Sequence, residues 1–371
     1  MDHNALVEAM KDPSFYSHPV YAVEFIQTHI SCVFLTGDYV FKLKKPADFG
    51  FLDFTTVELR RTNCFMELEL NRRLAPDVYL RVEPVIVEGG RPRLGGAADA
   101  GGEFPGGDEA DGEAGERGAA GPARVAPSPI DWVVVMRQLD QSLLGLQVLE
   151  RGELDTAKIE AVVDRLVPFY QAARTGPGVD EFGSIDTVKF NTDENFQQTA
   201  EFVGRALTQD RYDSIRGFTN GFYQEHRDLF LERIAQGWIR ESHGDLHLGN
   251  IFFEDPPVIF DCIEFNERFR CGDVAVDLAF LVMDLDFQGM PELARLVVDR
   301  YVERSGDTGF LKMVDFYACY RAYVRGKIAC LTSADPAVGQ ASQAAQLQLA
   351  SRYFDLSFHY ATQGGHGRDH T

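Results

Sequence analysis

The first part of the chain alternates short runs of strand-forming residues with one helical pattern. Residues 31–36 (SCVFLT) and 39–44 (YVFKLK) are rich in β-branched and aromatic side chains and are separated by Gly37-Asp38. This arrangement predicts a β-hairpin. Residues 55–74 carry apolar side chains at helical spacing, and Pro76 follows them, so we expect a helix that ends there.

A segment that is poor in apolar residues, 89–128, lies between two further strand-like runs, 80–88 and 130–139. It holds 12 of the 34 glycines and 9 alanines. Its large apolar residues are Leu94, Phe104 and Val125. Such a composition cannot bury enough surface to offset the entropy cost of ordering the chain. We therefore expect a flexible loop inserted between two strands of one sheet.

From residue 140 onward the apolar residues recur mainly at helical spacing. The patterns cover residues 159–170, 274–285, 293–302, 310–331 and 341–360. One β-rich interruption places two short apolar runs, 251–253 and 258–260, around Asp255-Pro256-Pro257, which predicts a small hairpin. The sequence thus indicates an α+β fold, with a small sheet-plus-helix lobe in residues 1–139 and a larger, mainly helical lobe in residues 140–371.

Composition narrows the class of protein. The 371 residues are 45% hydrophobic and 25% charged, which is typical of a soluble globular protein. The formal charge of −21 argues against a nucleic-acid partner, because phosphate backbones require clustered Lys and Arg. The six cysteines form no C-x-x-C pair, and no apolar run reaches 18 residues, so we expect reduced thiols, no membrane span and a cytoplasmic location.

The chemistry-bearing stretch is residues 242–265, SHGDLHLGNIFFEDPPVIFDCIEF. Asp245 and Asn250 have the D-x-x-x-x-N spacing of a phosphoryl-transfer loop, in which the carboxylate can accept a hydroxyl proton and the amide oxygen can reach a metal. Asp261 closes the second strand of the predicted hairpin, which should return it to the side of Asn250. A carboxylate and an amide oxygen together predict a magnesium site.

Two simpler interpretations compete with this one. Aspartate and asparagine near turns can serve only as caps and turn residues. His243, Asp245 and His247 also form an H-x-D-x-H pattern that could bind zinc, but catalytic zinc needs three convergent protein ligands. The next histidines lie far away in the tail, so we interpret His243 as a residue that structures the loop and His247 as a packed or cleft residue.

The string HGDLHLGN, followed by VIFDCIEF and by Gly272-Asp273…Asp277-Leu278-Ala279, resembles the aminoglycoside phosphotransferase-like branch of the kinase superfold. More narrowly, residues 18–54 and the string LNRRLAPDVYL resemble the phosphotransferase half of bacterial bifunctional phosphotransferase and ATP-binding proteins. The G-x-x-x-x-G-K-[ST] loop of their other half does not occur in this sequence. The resemblance implies a two-lobed, protein-kinase-like fold with a nucleotide-anchoring N-lobe and a C-lobe that carries the catalytic loop and the acceptor site.

The resemblance also implies an ATP-anchoring lysine on the third strand. Lys42 is the best match, and Lys44, which faces the same side of the strand, is its rival. The partner of this lysine would be a helix glutamate, with Glu67 as the first choice and Glu58 and Glu69 as alternatives.

Further candidate residues lie outside the predicted catalytic loop, and one kinase motif is absent. No G-x-G-x-x-G loop precedes the first strands, so residues 28–31 are the candidate for covering the phosphates. Met136, where the lobes should join, is a candidate for adenine contact or a plain core residue. Asp273 and Asp277 open an apolar helix, where we expect them to supply N-terminal charge and to act as struts beneath the catalytic loop.

Taken together, the residues and the resemblance predict an MgATP-dependent transfer of the γ-phosphoryl group to a hydroxyl of a small-molecule acceptor. Asp245 would be the catalytic carboxylate, and Asn250 and Asp261 would hold Mg²⁺. Lys42, oriented by Glu67, would bind the α and β phosphates of ATP. Nucleotidyl (AMP) transfer on the same fold and a non-catalytic ATP-binding module remain the alternatives.

Overall fold

The computed structural model describes residues 1–96, 128–335 and 338–367. The chain divides into two compact units, Met1–Leu139 and Asp140–Thr371. An α+β fold is confirmed, with an antiparallel sheet in the first unit and mainly helices in the second. Within the described residues, no helix is both long enough and apolar enough to cross a membrane. All six cysteines are buried free thiols.

The first unit is built on a six-stranded antiparallel sheet with two helices. The helices are α1 (His3–Met10) and α2 (Val57–Arg72). The strands are β1 (Glu24–Gln27), β2 (Ser31–Leu35), β3 (Tyr39–Lys44), β4 (Tyr79–Glu88), β5 (Arg91–Leu94) and β6 (Asp131–Arg137), in the spatial order β1-β2-β3-β6-β4-β5. The predicted hairpin of β2 and β3 is confirmed, with Leu35 opposite Val40 across the turn.

Alternation along β3 decides which side chains reach each face of the sheet. Phe41 and Leu43 join the hydrophobic core that also contains Leu6 and Met10 of α1. The intervening residues, Lys42 and Lys44, point to the opposite face, where α2 packs, because successive side chains of a strand alternate. This face of the sheet therefore carries two lysines inside an otherwise apolar strand.

The expectation that residues 89–128 form a loop throughout is wrong at its start. Gly89 and Gly90 both adopt positive φ, 58° and 81°, which allows a tight two-residue turn that reverses β4 into β5. The prediction that the insertion separates two strands of one sheet is confirmed, because β4 and β6 are hydrogen-bonded neighbours. The remainder of the predicted loop, residues 97–127, lies outside the described residues.

The second unit is mainly helical. Its helices are α3 (Gly145–Glu150), α4 (Thr156–Ala172), α5 (Ile185–Thr199), α6 (Gln209–Glu225), α7 (Arg227–Ala235), α8 (Glu267–Arg270), α9 (Val274–Phe287), α10 (Pro291–Ser305), α11 (Phe310–Ala334) and α12 (Gln340–Gln363). Its strands are β7 (Ile239–Glu241), β8 (Ile251–Phe252), β9 (Val258–Ile259) and β10 (Cys271–Asp273). The helices predicted from residue 274 onward and the β8–β9 hairpin are confirmed.

Helix α9 is the buried centre of this unit. Residues 277–285 are all buried, and α9 packs against both α10 and α11. Strand β10, which pairs with β7, leads directly into α9. Strand β7 leads into the residues predicted to carry the chemistry. Its pairing with β10 therefore places the start of α9 beside those residues.

Candidate active site

Residues 243–250, called the 243–250 loop below, connect β7 to β8. The carboxylate of Asp277 on α9 holds the start of this loop. It accepts hydrogen bonds from the backbone N–H groups of His243 (3.0 Å) and Gly244 (2.8 Å) and from the hydroxyl of Tyr170 (3.0 Å). Three donors compensate the cost of burying this charge. Asp277 therefore acts as the predicted strut.

Asp273 supplies the predicted charge at the N-terminus of α9 but does not act as the predicted strut. Its carboxylate caps α9 by accepting the N–H of Ala275 at 2.9 Å. It also forms a bidentate pair with the buried Arg233, at 2.7 and 2.5 Å. This pair ties α7 to the start of α9, and the contacts of Asp273 therefore stabilise the second unit without touching the loop.

Asp284 is a second buried carboxylate on α9, and it was not predicted from the sequence. Its Oδ2 atom accepts the N–H of Leu248 at 2.9 Å and so holds the second half of the 243–250 loop. The spacing of Asp277 and Asp284 by seven residues, nearly two helical turns, was the available signal. Two acidic residues on one face of a helix that is otherwise apolar indicate polar partners on that face.

Asp245 is held through one of its two carboxylate oxygens. Oδ2 accepts the amide Nδ2–H of Asn250 at 3.0 Å and lies 3.4 Å from Nε2 of His247. The same Asn250 nitrogen also donates to the backbone carbonyl of Asp245 at 2.9 Å. Oδ1 accepts no hydrogen bond from the described residues, and about a third of the side chain, 34%, is exposed. The carboxylate thus presents one oxygen outward.

The charges around Asp245, above all that of His247, keep its carboxylate ionised. Burial would raise the pKa of Asp245, but the adjacent His247 and Arg325 outweigh it and hold that pKa well below its usual range. Burial would likewise lower the pKa of His247, but the carboxylate of Asp245 raises it above the ordinary value. His247 accepts the N–H of Gly249 at Nδ1, at 3.0 Å, so the proton of a neutral His247 ring lies on Nε2 and faces Asp245.

His243 structures the loop, as expected from the sequence. Its Nε2–H donates to the carbonyl of Phe260 at 2.9 Å, and its Nδ1 accepts the N–H of Asp245 at 3.3 Å. Burial is the main reason why its pKa is lowered, so the ring is neutral at pH 7. Both ring nitrogens are engaged, which removes His243 from the alternative zinc site that the H-x-D-x-H pattern suggested.

The β8–β9 hairpin returns the chain to the loop as its sequence predicts. The N–H of Phe260 donates to the carbonyl of Asn250 at 3.1 Å, and the N–H of Ile263 donates to the carbonyl of His243 at 3.1 Å. Asp261 lies between these two anchors, directly after Phe260. It adopts a left-handed backbone conformation with φ of 63°, a strained geometry for an L residue that is enriched at functional sites.

In the first unit, Glu67 of α2 pairs with both lysines of β3. Oε1 lies 2.8 Å from Nζ of Lys42, and Oε2 lies 2.7 Å from Nζ of Lys44. Burial opposes ionisation of Glu67, but the two ammonium groups outweigh it and hold its pKa well below the ordinary value. The alternatives behave as surface residues, because Glu58 is exposed and pairs with Arg61, and Glu69 is exposed.

The two lysines differ in exposure. The side chain of Lys44 is fully buried at 0% exposure, and its ammonium lies 4.9 Å from the ring centroid of Phe54. The side chain of Lys42 is 12% exposed. Lys42 is therefore the lysine of the pair whose side chain reaches solvent.

The remaining sequence-predicted residues of the first unit lie at sheet positions. Met136 is buried in β6 and pairs with Val40 on one side and Tyr79 on the other. Residues 28–30 form the turn between β1 and β2, where the hydroxyl of Thr28 accepts the N–H of Ser31 at 3.0 Å. The structure thus assembles Lys42, Lys44 and Glu67 in the first unit, and Asp245, Asn250 and the strand end before Asp261 in the second.

Comparisons with known proteins agree with this arrangement. Residues 145–313, which include the 243–250 loop, α9 and most of the second unit before α11, match the model of the phosphotransferase enzyme family. This match confirms the resemblance that the sequence motifs predict.

Two solved structures share the fold of this chain. The GDP complex of wild-type aminoglycoside 2'-phosphotransferase-IIIa is 15% identical, with a TM-score of 0.50, over 95% of this chain and 99% of that chain. The GDP complex of a point mutant of the same enzyme is also 15% identical, with a TM-score of 0.51, over 94% and 96% of the two chains. At this identity the likeness establishes the fold.

Sequence relatives are closer but longer. The chain is 32% identical over 319 residues to an uncharacterized protein of Mycobacterium tuberculosis and, with the same values, to one of Mycobacterium bovis. These matches cover 85% of this chain and 57% of each relative. The chain therefore spans just over half the length of the curated relatives it matches.

Proposed function

We propose that this chain is a phosphotransferase that transfers the γ-phosphoryl group of MgATP to a hydroxyl of a small-molecule acceptor. The observation that carries the proposal is the state of Asp245, which is ionised and fixed through Oδ2 while Oδ1 faces outward. An ionised carboxylate with one oxygen available can orient a hydroxyl and take its proton. The family match supports phosphoryl transfer as the reaction type.

Asp245 would act mainly by positioning. Its low pKa makes it a weak base, so it would hold the acceptor hydroxyl in line through Oδ1 and receive the proton late in the reaction. Phosphoryl transfer through a loose transition state asks for little early proton removal, which suits a weak base. Asn250 and His247 would keep Oδ2 engaged and so select the oxygen that faces the acceptor.

Asn250 and Asp261 fit a magnesium site. The Nδ2 of Asn250 is engaged by Asp245, which leaves the amide oxygen as the ligand atom, and Asp261 supplies a carboxylate on the adjacent strand end. Hard oxygen ligands of this kind suit Mg²⁺. When bound, the ion would neutralise charge on the phosphates. The two residues would fix its position relative to Asp245.

In the first unit, Lys42 would bind the α and β phosphates, and Glu67 would fix its ammonium. The exposure of Lys42 supports its choice over Lys44, whose buried ammonium would instead stabilise the packing of α2 on the sheet. The β1–β2 turn of residues 28–30 would cover the phosphates, and Met136 would contact the base. The two GDP complexes among similar folds make GTP a necessary comparison for ATP.

Thermal melting tests the nucleotide part of the proposal. ATP or GTP with Mg²⁺ should raise the melting temperature by several degrees, and either nucleotide without Mg²⁺ should raise it less, because a ligand that binds only the folded state stabilises it. No shift at millimolar MgATP or MgGTP would remove the proposal. The background hydrolysis product then separates the reactions, since ADP indicates phosphoryl transfer and AMP indicates nucleotidyl transfer.

A further inference from the structure

A second polar cluster lies in the second unit, outside the set of residues assigned above. It consists of Glu194 and Asn195 of α5, Arg268 of α8 and Lys327 of α11, and is called the Glu194 cluster below. Nη2 of Arg268 donates to Oε2 of Glu194 at 2.7 Å. Nζ of Lys327 donates to Oδ1 of Asn195 at 2.6 Å. Three helices thus bring two cations, one carboxylate and one amide together.

The Glu194 cluster is attached to the start of the 243–250 loop. The N–H of Ser242 donates to the carbonyl of Arg270 at 2.8 Å, which fixes α8 beside the loop. The carbonyl oxygen of Phe269 lies so close to Gly244 that a Cβ at that position would be 2.7 Å from it. Gly244 directly precedes Asp245, and Arg268 directly precedes Phe269. Arg268 therefore lies on a segment in contact with the loop that carries Asp245.

Helix α11 links the cluster to Asp245 a second time. Arg325, two residues before Lys327, is one of the groups that hold the pKa of Asp245 low. Helix α11 therefore contributes to both places, with Arg325 acting on Asp245 and Lys327, on another face of the same helix, belonging to the cluster.

The charges of the cluster favour an anion. Glu194 neutralises Arg268, whereas Lys327 donates one hydrogen bond to a neutral amide oxygen, which leaves two N–H donors of its ammonium unused within the described residues. Burial is the main cause that lowers the pKa of Lys327 to about 8, and Arg268 lowers it further, while Glu194 opposes both. At pH 7 the cluster has a net positive charge in a chain whose formal charge is −21.

Two buried amide atoms of α5, the helix that supplies Glu194 and Asn195, lack a partner with hydrogen-bonding geometry among the described residues. The Nδ2 of Asn195 lies near the Tyr320 hydroxyl, but it meets hydrogen-bonding geometry with no described residue, and neither does Oδ1 of Asn191, one turn earlier on α5. A cavity of about 10 Å³, lined in part by Asn195 and Tyr320, has room for at most one water. A larger polar ligand would therefore approach from the side of Lys327.

We propose that the Glu194 cluster binds the acceptor of the phosphotransferase and that this acceptor carries an anionic group, a carboxylate or a phosphate, besides the reacting hydroxyl. The inference rests on the function proposed above and gives that acceptor a chemical class. Lys327 donates to the anionic group, and Asn195 holds the ammonium in place. Glu194 keeps Arg268 neutralised and so limits the positive charge of the cluster.

The test compares polyols of matched size and different charge. D-gluconate, D-glucose, D-glucosamine and D-glucose 6-phosphate are added singly to the wild-type chain, and the melting temperature is measured without nucleotide. The melting temperature should rise with the anionic probes more than with glucose or glucosamine. The response to gluconate against that to glucose 6-phosphate distinguishes a carboxylate from a phosphate. A response to glucosamine alone, or none to either anion, overturns the proposal.

Two substitutions locate the effect. Lys327→Met should weaken anion binding by about 10-fold or more, since a hydrogen bond to a charged group is removed. Lys189→Met removes the same charge from an exposed position of α5 and should leave anion binding unchanged. Glu194→Gln, which releases Arg268, should strengthen anion binding. Glu194→Gln tests anion binding by the cluster independently if Lys327→Met fails to fold.

Equal anion binding by wild-type, Lys327→Met and Glu194→Gln chains would contradict the assignment to this cluster. These measurements use no nucleotide, so they remain readable if MgATP fails to bind. A shift with MgATP and none with the anions would leave the proposed function standing and remove the acceptor class. ADP release with each probe in the presence of MgATP then shows whether the bound anion is also phosphorylated.

Discussion

Asp277 and Asp284 lie seven residues apart on α9, and their carboxylates hold opposite ends of the 243–250 loop. Asp277 accepts the N–H groups of His243 and Gly244, and Asp284 accepts the N–H of Leu248. Both carboxylates accept hydrogen bonds from backbone N–H groups of the loop. The buried helix therefore fixes the path of the loop and leaves its side chains available for chemistry.

Asp284→Ala should loosen the half of the loop that carries Asn250. The Leu248 N–H loses its acceptor, so the amide oxygen of Asn250 is less well placed for a metal. We expect the Mg²⁺ concentration for half-maximal nucleotide binding to rise about 10-fold, as for other residues that support metal ligands. Calorimetric titration of ATP at a series of Mg²⁺ concentrations measures this, and hydrogen exchange should increase in residues 246–250.

Asp286→Ala is the matched control for this change. Asp286 lies two residues further along α9 and binds Tyr360 and Nε2 of His366, the latter at 2.9 Å, so its contacts stabilise the C-terminal segment instead of the loop. Asp286→Ala should lower the melting temperature without altering the Mg²⁺ dependence of nucleotide binding. An equal Mg²⁺ effect in both variants would mean that general destabilisation, and not loop position, explains the result.

Asp245 and Asp261 should fail differently when they are changed. Asp261→Ala removes a proposed metal ligand and should weaken MgATP binding and turnover together. Asp245→Asn keeps the shape of the side chain and the contact with Asn250 but cannot accept the proton. It should retain most nucleotide affinity and lose on the order of 10²–10⁴ in rate. Calorimetry with background ATPase measurement separates the two, and near-wild-type turnover by Asp245→Asn would show that the assigned roles are wrong.

The part of the site that is local in sequence could be predicted, and the part that depends on packing could not. The spacing of Asp245 and Asn250 and the hairpin before Asp261 lie within a few residues of each other, so the pattern alone indicated their arrangement. Asp284 was missed because its partner is a backbone N–H that only the packing of α9 beneath the loop brings near. No side-chain pattern encodes such a contact.

The helices and strands with a regular local pattern could likewise be predicted from the sequence, and those without one could not. The buried helices from α9 onward have regular apolar spacing and were predicted, whereas α5, α6 and α7 mix their apolar residues with glycine, asparagine and charged residues. Strand β5 was hidden because the composition of 40 residues was averaged over a segment whose first few residues pair with β4. The Gly89-Gly90 turn was the signal that could have revealed it.

Lys42 and Lys44 should separate nucleotide binding from stability. Lys42→Ala removes the partly exposed ammonium and should weaken MgATP binding by tenfold or more with a modest change in melting temperature. Lys44→Ala removes a fully buried partner of Glu67 and should lower the melting temperature by many degrees, because breaking one side of a buried pair costs about 3–5 kcal/mol. The reverse pattern in calorimetry and melting would assign the ATP lysine to Lys44.

Glu67 should make the stability of the wild-type chain depend on pH in a defined direction, and Glu67→Gln should remove that dependence. The pKa of Glu67 is depressed in the folded chain from its ordinary value of 4.5, because Lys42 and Lys44 outweigh its burial. A depressed carboxyl pKa contributes stability that is fully present above the ordinary pKa and is lost as the pH falls toward the folded pKa. Glutamine has no such dependence, and it leaves the ammonium groups of Lys42 and Lys44 without their carboxylate.

The measurement is urea unfolding of the wild-type and Glu67→Gln chains at a series of pH values from 7 down to the lowest at which both fold. At pH 7 the variant should be less stable by about 3 kcal/mol, the low end of the cost of breaking a buried pair. The difference in unfolding free energy should stay constant above about pH 5.5 and shrink as the pH falls below 4.5, since the other carboxyl groups titrate in both chains alike. A difference that is independent of pH, or that grows on acidification, would show that Glu67 is not held ionised by the two lysines.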